Sequence, residues 1–333
     1  MKITRILVGT DFSAESEVAL EHAVRIARHV GAEVLLAHAG TVIDTADAAL
    51  SPESAALLEY ERIVAEHAAE NRTHLAELVA RVRDSGVEAA EQIVDGFPDT
   101  GISEAADELD ADLVVIGTHG RTGLKRILLG SVAERVVRLC RRHVMVARPV
   151  EDGQRAGYGR ILVPTDFSPR AELALEIALE LVAVDGEIEV LHAWSLPALT
   201  GSLVPSRVSE SALEPVRASL DAGAREKVEA LIARHTHPSA KIGIMIVNDS
   251  AAHAIDRAAA GHDLVVMGGH GRRGLRRLIL GSVAEATVRH APCSVLVVHE
   301  RVAGGARATR GGDGGGAEPT PGSGGHGARP PGA

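Results

Sequence analysis

GTHGRTGLKRILLGS, residues 117–131, decides how this chain is read. It follows the apolar run DLVVI and carries Gly117, Gly120, Gly123 and Gly130 beside His119, Arg121, Lys125 and Arg126. A loop of this composition is either a cradle for phosphate or a solvated surface turn. A near copy, GGHGRRGLRRLILGS, occupies residues 268–282. Both spell Gly, two residues, Gly, nine residues, Gly-Ser, and both run from an apolar strand into a helical pattern. The pairing of two such loops favours phosphate, because a helix N-terminus presents unpaired N–H groups and a partial positive charge. Glycines let those groups approach without a side chain in the way.

The copy is part of a larger duplication. RILVGTDFS at residues 5–13 returns as RILVPTDFS at 160–168, in the same order relative to the loop and at nearly the same offset. The repeat is far too long for a solenoid. We therefore expect a first domain over 1–150, a polar linker over 151–158, a second domain over 159–300, and a disordered Gly- and Pro-rich tail over 301–333.

Within each unit, strand and helix patterns alternate. Runs such as LVVIG and LVVMG are apolar at nearly every position, as in parallel strands covered by helices on both faces. Each unit thus reads as an α/β, doubly wound five-stranded parallel sheet. Ser168-Pro169 has the form of an N-cap with Pro at the first helical position, and SVAE after each Gly loop has the form of a capping box. That places Ser131 and Ser282 as caps able to donate their hydroxyl hydrogens to phosphate.

Composition narrows the function. Hydrophobic residues make up 45% of the 333 and aromatics only 2%, so the core is aliphatic and a base-stacking surface is not expected. A formal net charge of -10 argues against a nucleic-acid footprint. The two cysteines, Cys140 and Cys293, have no disulfide or metal spacing and read as small apolar residues. No apolar run approaches a membrane span and the chain opens on a strand pattern, so a cytoplasmic protein without a signal peptide is expected. GHGRRG at 269–274 matches G-x-G-x-x-G, but it follows the fourth strand; a dinucleotide fingerprint belongs on the first βα turn. The Walker A ending is absent. His235-Thr236-His237 has no third ligand nearby, and no metal site is expected. His119 and His270 sit in the loops, where contact with phosphate and a structural role are both open. His38 and His192 at the end of strand two read as structural.

Taken together, the ILV-x-T-D-F-S opening, the G-2x-G-9x-G-Ser loop and the fifth-strand SVLVV resemble the universal stress protein family in its tandem two-domain, ATP-binding form. The resemblance covers both units. It implies the strand order 3-2-1-4-5 in each and an ATP in each, with any Mg2+ carried on the phosphates. Ligands bind where such an order reverses direction, beyond the carboxyl ends of the strands. By resemblance, Thr10, Asp11, Thr165 and Asp166 face the adenosine end, with Pro164 beside them; Ala39 and Ala193 offer backbone groups to adenine. Gly117, Gly120, Arg121, Gly130, Ser131 and Val132 hold phosphate in the first unit. Gly268, Gly271, Arg272, Gly281, Ser282 and Val283 do so in the second. Gly9 stands where the second unit has Pro164, which leaves the first site less preorganised.

The expected function is that of an ATP-binding stress-response or regulatory protein with an unknown protein partner. A slow ATPase or phosphotransfer enzyme using the same residues, and a nucleotide-free interaction module, are the alternatives. No nucleophile–base pair stands out. The fifth strands would be apolar sheet edges, which tend to be covered. The two units are therefore expected to pair through them as an intramolecular pseudo-dimer; a homodimer of chains is a further option.

Overall fold

The computed structural model of the chain describes residues 2–40, 55–120, 129–149, 156–195, 210–235, 240–270 and 280–299. The middle of each Gly loop, including Arg121, Gly271 and Arg272, and the tail expected to be disordered lie outside the described residues.

The first half runs β1 (Arg5–Gly9), α1 (Ala14–Val30), β2 (Glu33–Gly40), α2 (Ala55–Asp84), β3 (Ala89–Asp95), α3 (Pro98–Glu108), β4 (Leu113–Gly117), α4 (Ser131–Leu139) and β5 (His143–Ala147). The second runs β6 (Tyr158–Pro164), α5 (Pro169–Leu181), β7 (Val182–Trp194), α6 (Glu210–Ala233), β8 (Lys241–Asn248), α7 (Ala251–Ala259), β9 (Leu264–Gly268), α8 (Ser282–His290) and β10 (Ser294–Val298). Among the described residues no helix is long and apolar enough to cross a membrane.

All ten strands form one sheet, ordered β3-β2-β1-β4-β5-β10-β9-β6-β7-β8. Each half keeps the order 3-2-1-4-5, and each is parallel throughout. The single antiparallel contact between the described strands is the seam, where β5 pairs with β10 through Val146↔Val295, Met145↔Leu296 and Val144↔Val297. The fifth strands are fully buried. Two apolar edges that would otherwise invite association thus satisfy each other within one chain.

The two faces of the sheet carry two aliphatic cores. Ile6, Val8, Leu113 and Val115 point to one face; Leu7, Val114 and Val144 point to the other. This is the period-2 alternation of a strand with both faces covered. Cys140 and Cys293 are both buried and free, packed in the second core. Burial pushes both thiols up to about 11, which keeps them protonated.

Polar contacts lock the seam from one side. His22 on α1 reaches across it: Nδ1 lies 2.7 Å from the Tyr158 hydroxyl and Nε2 2.8 Å from the Arg148 carbonyl. The Ser294 hydroxyl of β10 is 3.1 Å from the same Nε2. These partners fit a neutral ring with the proton on Nε2, donating to the carbonyl while Nδ1 accepts from tyrosine. Tyr158 was placed by composition in the linker; it is instead fully buried and opens β6. On the other side, α4 and α8 are joined by a ring of ion pairs: Arg138 with Glu134 and Glu285, both at 3.0 Å, and Arg289 with Glu285 at 3.2 Å and Glu134 at 3.6 Å.

Burial drops the His22 pKa from 6.5 to about 4. An unfolded chain binds a proton there from pH 6.5 downward and the folded one does not. Stability present above pH 6.5 is therefore lost as pH falls toward 4. His22 alone contributes a loss of about 2 kcal/mol between pH 7.5 and 5. Urea unfolding at the two pH values checks this: His22→Gln is expected to show a smaller difference between them than the parent chain.

Candidate functional site

The strand order reverses between β1 and β4 in the first half, and between β6 and β9 in the second. Beyond the carboxyl ends of these strands stand the two sequence motifs, brought together from over a hundred residues apart.

The T-D-F-S motif builds the turn from strand to helix. The Thr10 hydroxyl accepts from the Phe12 N–H at 3.1 Å, and Asp11 Oδ1 accepts from the Ser13 N–H at 3.1 Å and its hydroxyl at 2.6 Å. The Ser13 hydroxyl accepts from the Ser16 N–H at 3.2 Å, capping α1. The second copy repeats the pattern: Thr165 accepts from the Phe167 N–H, Asp166 from the Ser168 N–H, and Ser168 from the Ala171 N–H. Between them Phe12 and Phe167 both sit at φ 62, a left-handed conformation rare for a bulky residue. Each is held by packing on a histidine, with ring centroids 4.6 Å from His38 and 4.5 Å from His192. Those histidines are fixed through Nδ1 to the carbonyls of Thr10 and Thr165, both at 2.8 Å. Asp11 and Asp166 are thus turn formers whatever else they do, and His38 and His192 are structural. The phenylalanines were missed because nothing in their residue type signals a positive φ.

In the second half the turn faces a cavity of about 590 Å3. Pro164, Thr165 and Asp166 line it from β6, and Leu191 and Ala193 from β7. Ala251 and Ile255 of α7 face Met267, Gly268 and His270 at the end of β9. Gly281, Ser282 and Val283 bring in the start of α8. All the described site residues expected of the second unit therefore meet around one space. The volume is that of a small-molecule pocket. His270 Nε2 is buried with no hydrogen-bond partner among the described residues, and burial, with Arg170 nearby, lowers its pKa.

The helix caps differ from expectation. Gly130 and Gly281 are the N-caps of α4 and α8, at φ -62 and -66 in extended backbone, and no side chain caps either helix. Ser131 and Ser282 are the first helical residues. The nine-residue span is closed by the Gly130 N–H donating to the Thr118 carbonyl, and Gly281 to that of Gly269, both at 2.8 Å. This tight return brings the loop end onto the loop start, so the cap hydroxyl is not required. A first-turn serine leaves its N–H without a partner inside the helix.

In the first half, the same elements also meet. A β-carbon on Gly120 would stand 2.5 Å from Asp11 Oδ2, so the loop and the T-D turn touch. Thr10 also lines a hollow of about 370 Å3 beside α2, with Phe12, Ser16 and His74. Gly40, which follows Ala39, ends β2 where the second half has Trp194. Val132 is 37% exposed at the start of α4.

Not every loop glycine serves a ligand. A β-carbon on Gly117 would lie 2.6 Å from the Glu15 carbonyl oxygen, backbone at the start of α1. At Gly268 the nearest atom would be the Arg170 Cβ at 3.0 Å. Both glycines allow a helix to pack against the strand end. Gly117→Ala is expected to cost about 2 kcal/mol, because backbone must move, and Gly268→Ala less; equal losses in chemical denaturation would contradict this packing account.

Comparison with known proteins matches this architecture. The universal stress protein family model matches residues 2–148 and again 157–299. A universal stress protein of Mycolicibacterium smegmatis is 27% identical over 311 residues, covering 89% of this chain and 97% of its own length. Universal stress protein Rv2005c of Mycobacterium tuberculosis is 33% identical over 202 residues, 57% of this chain; the match spans 63% of that relative's length. Among solved structures, a universal stress protein from Archaeoglobus fulgidus superposes with a TM-score of 0.61 at 22% identity, covering 90% of this chain and 99% of its own. Two family matches on two half-sheets of the same strand order lead to one conclusion: this chain is a tandem member of the universal stress protein family.

Proposed function

We propose that this chain is a nucleotide-binding regulatory protein whose ligand is ATP, bound at the strand-order reversal. The observation that carries the reading is the second-half cavity, where the T-D turn, the end of β7 and the start of α8 converge. Part of its lining is an apolar wall, formed by Leu191, Ala193, Ile255, Met267 and Val283. That wall suits a purine and the carbon face of a ribose. Polar groups line it as well. The Ser282 and Val283 N–H groups belong to the unpaired first turn of α8, and the helix dipole adds positive potential there. No side chain caps this helix end, which leaves it open to an anion. The Asp166 carboxylate, which lines the same cavity, would accept from ribose hydroxyls.

These residues fit the group without a metal cage. When bound, the nucleotide supplies the phosphates that α8 would hold, and any Mg2+ would ride on those phosphates. The chain's own part is to bind and orient. The apolar wall excludes water from the base, and the loop end fixes the phosphate direction. Arg272, Arg273, Arg276 and Arg277, which lie outside the described residues, give the same loop a positive charge in an otherwise acidic chain.

Calorimetry with ATP, ADP and AMP on the full chain tests the proposal. ATP is expected to bind more tightly than AMP, because the loop and helix end act on the outer phosphates. Ala251→Phe places a ring in the cavity mouth from α7 and is expected to weaken ATP at least about tenfold, or about 1.4 kcal/mol. No heat of binding, together with no nucleotide released on denaturing the purified protein, would refute the reading.

A further inference from the structure

Arg25 on α1 is 5% exposed, yet among the described residues it makes no hydrogen bond and no ion pair. Its guanidinium carbon lies 5.3 Å from the centroid of the Tyr158 ring, at the start of β6. That cation–π contact offsets part of the cost of burial, but it supplies no acceptor for five N–H donors and no negative charge. A guanidinium taken out of water is ordinarily paired, because desolvation without a counter-ion is costly. The second half shows the ordinary arrangement. Glu180 of α5 stands as far beyond Ser168 as Arg25 stands beyond Ser13, and its Oε1 accepts from the Ile3 N–H at 2.7 Å.

Arg25 lines a hollow of about 230 Å3 between α1 and α2. That is room for several waters, at about 30 Å3 each, or for a small ion. Arg28 and Arg81 line it too, as do Glu17 and Glu21. Glu17 is already engaged, since Arg81 Nη2 donates to both of its oxygens at 2.6 Å. Arg28 donates from Nε and Nη2 to the Ser85 carbonyl, at 3.2 and 3.0 Å. Glu21, one helical turn before Arg25, is exposed and makes no ion pair among the described residues. Three guanidinium groups thus face two carboxylates, and the buried one has its whole planar fork unused. Such a fork matches two oxygens of one oxyanion.

We propose that the hollow between α1 and α2 is an anion site, in which Arg25 holds a small free oxyanion of the phosphate class. The anion accepts from the Arg25 fork, while Arg28 and Arg81 add positive potential around it. The site shares no residue with the nucleotide cavity and does not rest on the nucleotide reading. Its occupant stabilises the fold at the seam, because Arg25 packs on Tyr158, whose hydroxyl is bonded to His22.

Thermal unfolding of the full chain in rising inorganic phosphate, with chloride keeping the ionic strength constant, tests the site. A saturable rise in the midpoint is expected, since a ligand of the folded state alone stabilises that state. Ala251→Phe, which blocks the nucleotide cavity, should keep the rise, and Arg25→Met should lose it. Without phosphate, Arg25→Met is expected to melt no lower than the parent, because an apolar chain replaces a charge that lacks a counter-ion. In saturating phosphate the order reverses and the parent melts higher. Glu21→Gln, a change at an exposed side chain, is expected to tighten phosphate about threefold. No saturable rise in the parent would overturn the proposal and leave a carboxylate of the chain itself as the counter-ion of Arg25. A rise lost in Ala251→Phe, or kept in Arg25→Met, would overturn it by placing phosphate elsewhere. If Arg25→Met does not fold, the Glu21 variant decides, and an unchanged phosphate affinity there would sink the idea.

Discussion

The pairing of β5 with β10 is the interaction on which the rest of the molecule depends. Each half, taken alone, would end in a fully apolar fifth strand with a free row of backbone donors and acceptors. Antiparallel pairing satisfies both rows at once and buries both strands. It also sets the direction of everything attached to them. Because the seam relates the halves by an approximate two-fold, α4 and α8 run beside each other and their glutamates and arginines alternate into a ring. Those pairs are partly exposed, so each contributes little on its own. Their main effect is register. The apolar seam supplies the driving force, and the buried His22–Tyr158–Ser294 contacts make slipping it costly, since a shift would strand polar groups in a dry interior.

Most of the fold was legible because its signals are local and repeated. Apolar strands such as LVVIG, helices at regular apolar spacing and a second copy of each motif leave few alternative architectures. The seam was readable too, since an apolar edge strand needs a partner. Tyr158 was misread for a physical reason. The stretch around it is polar and Gly-containing, and the tyrosine is buried by contacts with His22 and Arg25 that come from α1, far away in sequence. The capping serines were misread because a Ser-x-x-Glu pattern fits either a cap or a first turn. The choice is made by the Gly130 and Gly281 N–H bonds back to the loop start, a contact no linear pattern reveals.

The T-D-F-S motif shows how a repeated sequence can carry two meanings. Each polar side chain in it has a local use: threonine and aspartate close the turn, and serine starts the helix. The phenylalanine is held at positive φ by its histidine. A turn that tolerates such strain twice is one whose geometry is over-determined by its surroundings. That rigidity is what allows the aspartate to stand at the cavity edge in the second half. Structure and ligand contact are therefore not rival explanations of the motif, because the turn is the means by which the carboxylate is aimed.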